Sequence, residues 1–137
     1  MKTSAPFVDQ VFEANLVRLY WLMRLCIAFI WLWTASVSWF IYPQAVSLSW
    51  LRNLGITHHT MLVFVAACVF DLLMGIASAL RPSHLLWQAQ IFSVSAYTLV
   101  IAIALPEFLV RPFGPIIKNL AVLACLSFLV LMEKPRK

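Results

Sequence analysis

The sequence contains few charged residues and few glycines. Only 11% of its 137 residues are Asp, Glu, Lys or Arg, whereas 64% are hydrophobic. A soluble domain has about 25% charged residues, and a chain this short would expose much of its surface to water. Hydrocarbon must therefore surround most of the protein, and the length allows one domain. With only three glycines, the sequence has no glycine-rich phosphate-binding loop.

Motifs of soluble enzymes and of nucleic-acid-binding proteins are also missing. The sequence has no Gly-x-Ser-x-Gly and no His-Glu-x-x-His pattern. Its net charge of +5 comes from basic residues that flank apolar runs, so we expect no nucleic-acid partner. Two adjacent histidines, His58 and His59, would point about 100° apart on a helix, and we expect no metal site.

The three cysteines show no paired spacing. Cys26, Cys68 and Cys125 each lie within an apolar run, and no Cys-x-x-Cys pattern occurs. This usage predicts buried free thiols and disfavours a catalytic dithiol.

Four apolar runs account for most of the chain. Each has about 17 to 22 residues, enough to cross a hydrocarbon core of about 30 Å as a helix. Prolines fall between the runs or at the start of one. The runs cover residues 21–42, 60–80, 85–105 and 115–132. The sequence therefore predicts an all-α membrane protein with four transmembrane helices in an antiparallel bundle, and its longest loop at 44–59.

The distribution of Lys and Arg predicts the orientation. Four crossings place both termini on one side, together with seven basic residues: Lys2, Arg18, Arg24, Arg81, Lys134, Arg136 and Lys137. The opposite side has three: Arg52, Arg111 and Lys118. This excess predicts cytoplasmic termini.

Three segments follow from the runs and their charges. Residues 1–20 form an N-terminal cytoplasmic or interfacial segment, either a short interfacial helix or an extension of the first span. Residues 21–132 form the transmembrane domain, and residues 133–137 form a basic cytoplasmic tail. The N-terminus does not resemble a signal peptide, because Asp9 and Glu13 interrupt it.

Asp71 is the most informative residue. It lies near the middle of the second run, where a carboxyl costs several kcal/mol unless it is paired or protonated. Ala67, Gly75 and Ala79 share its helix face at steps of four residues. Small residues let another helix approach closely, so we expect Asp71 to face the interior and to be a functional residue.

Further polar residues lie in the other three runs: Thr34, Gln90, Tyr97, Lys118 and Asn119. Thr34 and Tyr97 are expected at about the depth of Asp71, and Lys118 either reaches inward or extends to the interface. Two interpretations remain open. These residues line a cavity that binds a polar headgroup or a quinone ring, or relays a proton. Alternatively, they only make hydrogen bonds between helices.

The order of several motifs resembles a known family. Trp31-x-Trp33, Asp71-x-x-x-Gly75 and Trp87-Gln88 occur in turn, followed by Pro112-Phe113-Gly114-Pro115 and Lys118-Asn119. This order is similar to that of the DoxX-like family of small four-span membrane proteins, and the resemblance covers about residues 25–132. Gln88 matches the family pattern and joins the candidate ligand-binding residues.

The resemblance implies a bacterial inner-membrane protein related to subunits associated with thiosulfate:quinone oxidoreduction. Our leading interpretation is a redox-associated accessory subunit that binds a small amphipathic, quinone-like ligand in the lipid bilayer. Its partner would be a redox membrane complex or a second copy of the chain. The alternatives are a structural or assembly subunit without a ligand and a small transporter. No reaction and no other cofactor follow from the residues.

Overall fold

The computed structural model describes residues 5–110 and 115–133, and within these ranges it contains helices and no strand. The helices are α1 (Ala5–Ser36), α2 (Gln44–Asn53), α3 (Thr60–Leu80), α4 (His84–Ala104), α5 (Glu107–Val110) and α6 (Pro115–Met132). α1 continues directly into a π-helical segment, Val37–Ile41. The all-α prediction is confirmed. Lys2, Arg111, the Pro112-Phe113-Gly114 motif and tail residues 134–137 lie outside the described ranges.

Three helical stretches are long and apolar enough to cross a membrane: Asp9–Ile41, Thr60–Leu80 and His84–Ala104. The fourth predicted span forms α6, an apolar helix of 18 residues with a length of about 27 Å. Large apolar side chains are exposed on all of the long helices, among them Phe29, Leu73, Phe92 and Leu131. Such an apolar surface is that of a membrane protein, because hydrocarbon solvates it at no cost.

α1 is longer than the bilayer core. Its 32 residues extend about 48 Å, against a hydrocarbon thickness of about 30 Å. Residues 5–20 belong to this helix without a break. Of the two forms expected for the N-terminal segment, the structure therefore has the extension of the first span.

The segment predicted as the longest loop contains a helix. α2 occupies residues 44–53, so the prediction of a loop is wrong for these residues. Pro43 precedes the first turn with φ −60°, a conformation that suits the start of a helix. The apolar residues Trp50 and Leu51 of α2 face the rest of the protein, and tertiary packing thus stabilises a helix too short to form alone.

α1 packs along α3, and the small-residue face of α3 makes this approach possible. A side chain at Gly75 would place its Cβ 2.7 Å from Cγ of Leu32 on α1. α6 contacts both α1 and α4. The core between these helices contains Ile27, Trp31, Trp87, Val94, Leu126 and Leu129.

The cysteines only partly follow the prediction of buried thiols. Cys68 is buried and Cys125 is half-buried, but Cys26 is exposed on α1. A thiol behaves as a small apolar group, so the apolar surface of α1 accommodates it.

Candidate functional site

A cavity of about 310 Å³ lies between α2, α3 and the C-terminal end of α4. Most of its wall is apolar, and its polar groups are Ser38, Ser47, Asp71 and the indole of Trp50. The remaining lining residues are Leu51, Leu54, Phe64, Ala67, Cys68, Ile101, Leu105 and Phe108. An apolar pocket with a few polar groups is typical of small-molecule sites, and we call it the Asp71 cavity.

Asp71 is half-buried in the wall of this cavity. Within residues 5–110 and 115–133, no side chain or backbone group makes a hydrogen bond or an ion pair with its carboxylate. No described side-chain oxygen or nitrogen is both sealed from the surroundings and unpaired. The carboxylate therefore reaches the cavity space, where a bound molecule could contact it.

Tyr97 is a predicted site residue that interacts electrostatically with Asp71 from another helix. It lies on α4 within electrostatic range of the Asp71 carboxylate, as does Cys68 one turn earlier on α3. The Tyr97 side chain is 43% exposed. It lies beside the Asp71 cavity and is not part of its lining.

Four other predicted residues do not line the Asp71 cavity. Thr34 is exposed, and its hydroxyl donates to the Ile30 carbonyl oxygen of the same helix at 2.8 Å. Gln88 and Lys118 are exposed. Asn119 donates through Nδ2 to the Thr98 hydroxyl at 2.8 Å and so joins α6 to α4. None of these four residues lines the Asp71 cavity.

Gln90 belongs to a separate polar network. It is fully buried, and its Oε1 accepts a hydrogen bond of 3.0 Å from Nε1 of Trp31 on α1. Its Nε2 donates to the Ser78 hydroxyl of α3 at 2.7 Å, and Ser78 in turn donates to the Met74 carbonyl oxygen. One amide therefore links three helices, α1, α3 and α4.

Arg24, which the sequence analysis counted only among the basic residues on the side of the termini, extends this network. The side chain is only 6% exposed. Its Nε donates to the Ser78 carbonyl oxygen at 2.8 Å, and its Nη2 donates to that of Ala79. Its guanidinium also lies 4.6 Å from the ring centroid of Trp21. Arg24 thus satisfies carbonyl groups at the C-terminal end of α3 that the helix itself leaves unpaired.

A second missed group joins the middle of α1, the first turn of α4 and the C-terminal end of α6. Oε2 of Glu133 accepts hydrogen bonds from the Tyr20 hydroxyl at 2.7 Å and from Nε1 of Trp87 at 3.4 Å.

The seven-residue spacing between Arg24 and Trp31 was the available sequence signal for the network around Gln90, because it places both residues on the buried face of α1. Glu133 gave no comparable signal.

A second, apolar cavity of about 270 Å³ adjoins the first. It is a groove between the end of α1, the π-helical segment and α3, and we call it the apolar groove. Its lining residues are Ala35, Ser36, Trp39, Phe40, Val65, Cys68, Val69 and Leu72. Cys68 lines both cavities and forms the boundary between them.

The described residues include no group of three or more His, Cys, Asp or Glu side chains that could hold a metal ion. The arrangement supports binding of a small molecule by one carboxylate, two hydroxyls and aromatic rings.

Comparison with known proteins identifies the family. Searches of curated proteins and of solved structures found no match to the chain. The sequence model of the DoxX-like family matches residues 28–127, which include α3, α4 and most of the predicted site residues. Because this match covers most of the chain, the protein belongs to the DoxX-like family.

Proposed function

We propose that this protein crosses the bacterial inner membrane four times and binds a small amphipathic ligand in the Asp71 cavity. It would act as an accessory subunit of a redox-associated membrane complex, with a quinone-like ring as one ligand that the cavity accommodates. The observation that carries this proposal is the Asp71 carboxylate, which borders an otherwise apolar cavity without a partner among the described residues.

The free-energy cost of placing the Asp71 carboxylate within a membrane helix supports a binding role. A charged side chain at the centre of a membrane helix costs about 2.5 to 3.5 kcal/mol or more. Gln90 and Arg24 offset their burial with hydrogen bonds, but Asp71 has no such compensation within residues 5–110 and 115–133. If the residue at position 71 served packing only, Asn or Leu would cost less free energy there than Asp.

The size of the cavity indicates how much of a ligand it holds. Ligand pockets usually have volumes of about 300 to 1,000 Å³, so about 310 Å³ is at the lower limit. It suits one ring or headgroup and not a complete lipid. The apolar tail of such a ligand would extend beyond the cavity.

The proposal is tested by purifying the protein in a mild detergent, extracting bound lipids and quinones, and identifying them by mass spectrometry. We expect one amphipathic species to be enriched over the membrane extract, and Asp71→Asn to lose most of that enrichment. Asp9→Asn is the matched control, because it makes the same chemical change at an exposed position of α1. Absence of enrichment in wild type and in both variants would refute the binding role.

A structural or assembly role is the second candidate. It is favoured by the hydrogen-bonded network of Gln90, Trp31 and Ser78, which holds three helices together without any ligand. In this case Asp71→Asn would lower the thermal stability or release a co-purifying membrane protein, and no small molecule would be enriched. An Asp71→Asn variant with unchanged stability and unchanged partners would argue against it.

A further inference from the structure

The wall of the Asp71 cavity combines a carboxylate with three aromatic rings. Asp71, Trp50, Phe64 and Phe108 all line it, and among the described residues 5–110 and 115–133 no Lys, Arg or His lines it. A negative charge beside aromatic faces is the chemistry that recognises ammonium groups. We propose that the ligand is an alkylammonium amphiphile, with its cationic end at Asp71 and its hydrocarbon chain in the apolar groove. This inference rests on the proposed binding role of the cavity.

Neighbouring aromatic residues hold the rings of the cavity in position. Trp50 contacts Phe108 edge-on with ring centroids 5.7 Å apart, and its other neighbour, Tyr42, lies at 5.5 Å. Phe64 stacks on Trp39 with centroids 6.2 Å apart and planes inclined by 8°. Rings fixed in this way lose little conformational entropy when a ligand binds.

The hydrogen-bonding groups favour a cation over a neutral quinone. The carbonyl oxygens of a quinone only accept hydrogen bonds, and an ionised carboxylate also only accepts. The donors in the cavity wall are the hydroxyls of Ser38 and Ser47 and the indole N–H of Trp50. These donors could serve a quinone, but they leave the Asp71 carboxylate without a complementary group, whereas an ammonium group is attracted to its negative charge.

In this proposal the apolar groove holds the hydrocarbon chain of the ligand. It shares the lining residue Cys68 with the Asp71 cavity, and in our proposal the chain of a molecule with its head at Asp71 continues past this residue. Beyond Cys68 the groove is bordered by apolar side chains such as Val65, Val69 and Leu72. A straight alkyl chain fits this surface, and a headgroup with two acyl chains exceeds its volume of about 270 Å³.

The test is equilibrium binding of radiolabelled decyltrimethylammonium to the full chain in phosphatidylcholine nanodiscs, with empty nanodiscs as the background. Decylubiquinone, a neutral molecule with a chain of equal length, is measured in parallel. We expect saturable binding of the cation to wild type that decylubiquinone displaces only weakly. This comparison uses wild-type protein and does not depend on any variant folding.

Two variants locate the site. Asp71→Asn should weaken binding of the cation by about tenfold or more, because a charge pair in a low-dielectric site exceeds the roughly 1.4 kcal/mol that corresponds to tenfold. Trp50→Leu keeps an apolar side chain but removes the aromatic face, and should weaken it by about three- to tenfold. Asp9→Asn changes the net charge equally at an exposed site and should leave binding unchanged.

The outcomes separate this inference from the proposed function. If decylubiquinone binds saturably and the cation does not, the cavity binds a neutral ligand and the cation inference is overturned while the proposed function stands. Cation binding that Asp71→Asn and Asp9→Asn reduce equally would also overturn the inference, since it would reflect the net charge only. If neither probe binds saturably, both the inference and the proposed function fail.

Discussion

At the scale of single residues, the buried polar side chains fall into two groups. Gln90, Ser78 and Arg24 make hydrogen bonds to other groups of the protein. Asp71 has no such partner among the described residues and borders a cavity. Polar groups in a membrane protein serve packing or function. The hydrogen bonds of Gln90 indicate packing, and the lack of such bonds at Asp71 is the basis of its proposed binding role.

Replacing Gln90 should destabilise the protein. Gln90→Leu leaves Nε1 of Trp31 without its acceptor and removes the bond to Ser78, and such interhelical bonds are worth about 0.6 to 2 kcal/mol each. We expect a lower midpoint of thermal unfolding in detergent, followed by tryptophan fluorescence. Gln88→Leu, two residues away and exposed, is the control. Equal midpoints for the two variants would contradict a stabilising role of the network.

At the scale of the elements, the positions of α1 and α3 depend on one glycine and one arginine. Gly75 allows the backbone of α1 to come close, because a Cβ there would also lie 3.0 Å from the Leu32 amide nitrogen. Arg24 then satisfies the last carbonyls of α3 from the side of α1. Close approach and capping thus fix these helices against each other at two points.

A large residue at position 75 should separate the two helices. Gly75→Leu places its side chain into Leu32, and overpacking of this kind costs about 1 to 3 kcal/mol. The free energy of unfolding in a denaturing detergent should fall accordingly. Ala66→Leu adds a similar side chain to the exposed face of α3 and should have little effect. The close packing of α1 on α3 would be disproved by a Gly75→Leu variant as stable as Ala66→Leu.

Removing the cap should loosen the end of α3. Arg24→Met keeps the apolar stem but loses both bonds to carbonyl oxygens, and a hydrogen bond to a charged group contributes about 1.5 to 3 kcal/mol. We expect faster hydrogen–deuterium exchange in a peptide that covers residues 77–84. Arg18→Met, at an exposed position of α1, should exchange like wild type. Unchanged exchange in Arg24→Met would mean that Arg24 does not cap α3.

At the scale of the whole molecule, the hydrogen bond between Tyr20 and Glu133 bears on the topology. It joins the N-terminal half of α1 to the end of α6, so these two parts of the chain lie at one end of the protein. Arg24 brings the C-terminal end of α3 to the same region. The Asp71 cavity lies toward the other end, where residues of α2 and α5 form part of its wall. This alternation of helix ends is what four successive crossings would produce.

Reporter fusions can decide between three and four crossings. Four crossings place both termini on one side, whereas three place them on opposite sides. We expect green fluorescent protein to fluoresce, and alkaline phosphatase to be inactive, when fused at either terminus, as the excess of Lys and Arg predicts for cytoplasmic ends. Active phosphatase at the C-terminus together with fluorescence at the N-terminus would rule out the four-span topology.

The sequence by itself determined the membrane class, the all-helical structure and the approximate limits of α3, α4 and α6. These depend on local properties, because apolar runs, prolines and the need to satisfy backbone bonds in lipid act within each segment. The small-residue face around Gly75 followed from the same local spacing. Only the tertiary structure decided that residues 44–53 form a helix, since contacts with distant residues stabilise it. It also separated Gln90 from Asp71 and gave Arg24 its role, because the rotation and pairing of helices determine which distant side chains meet.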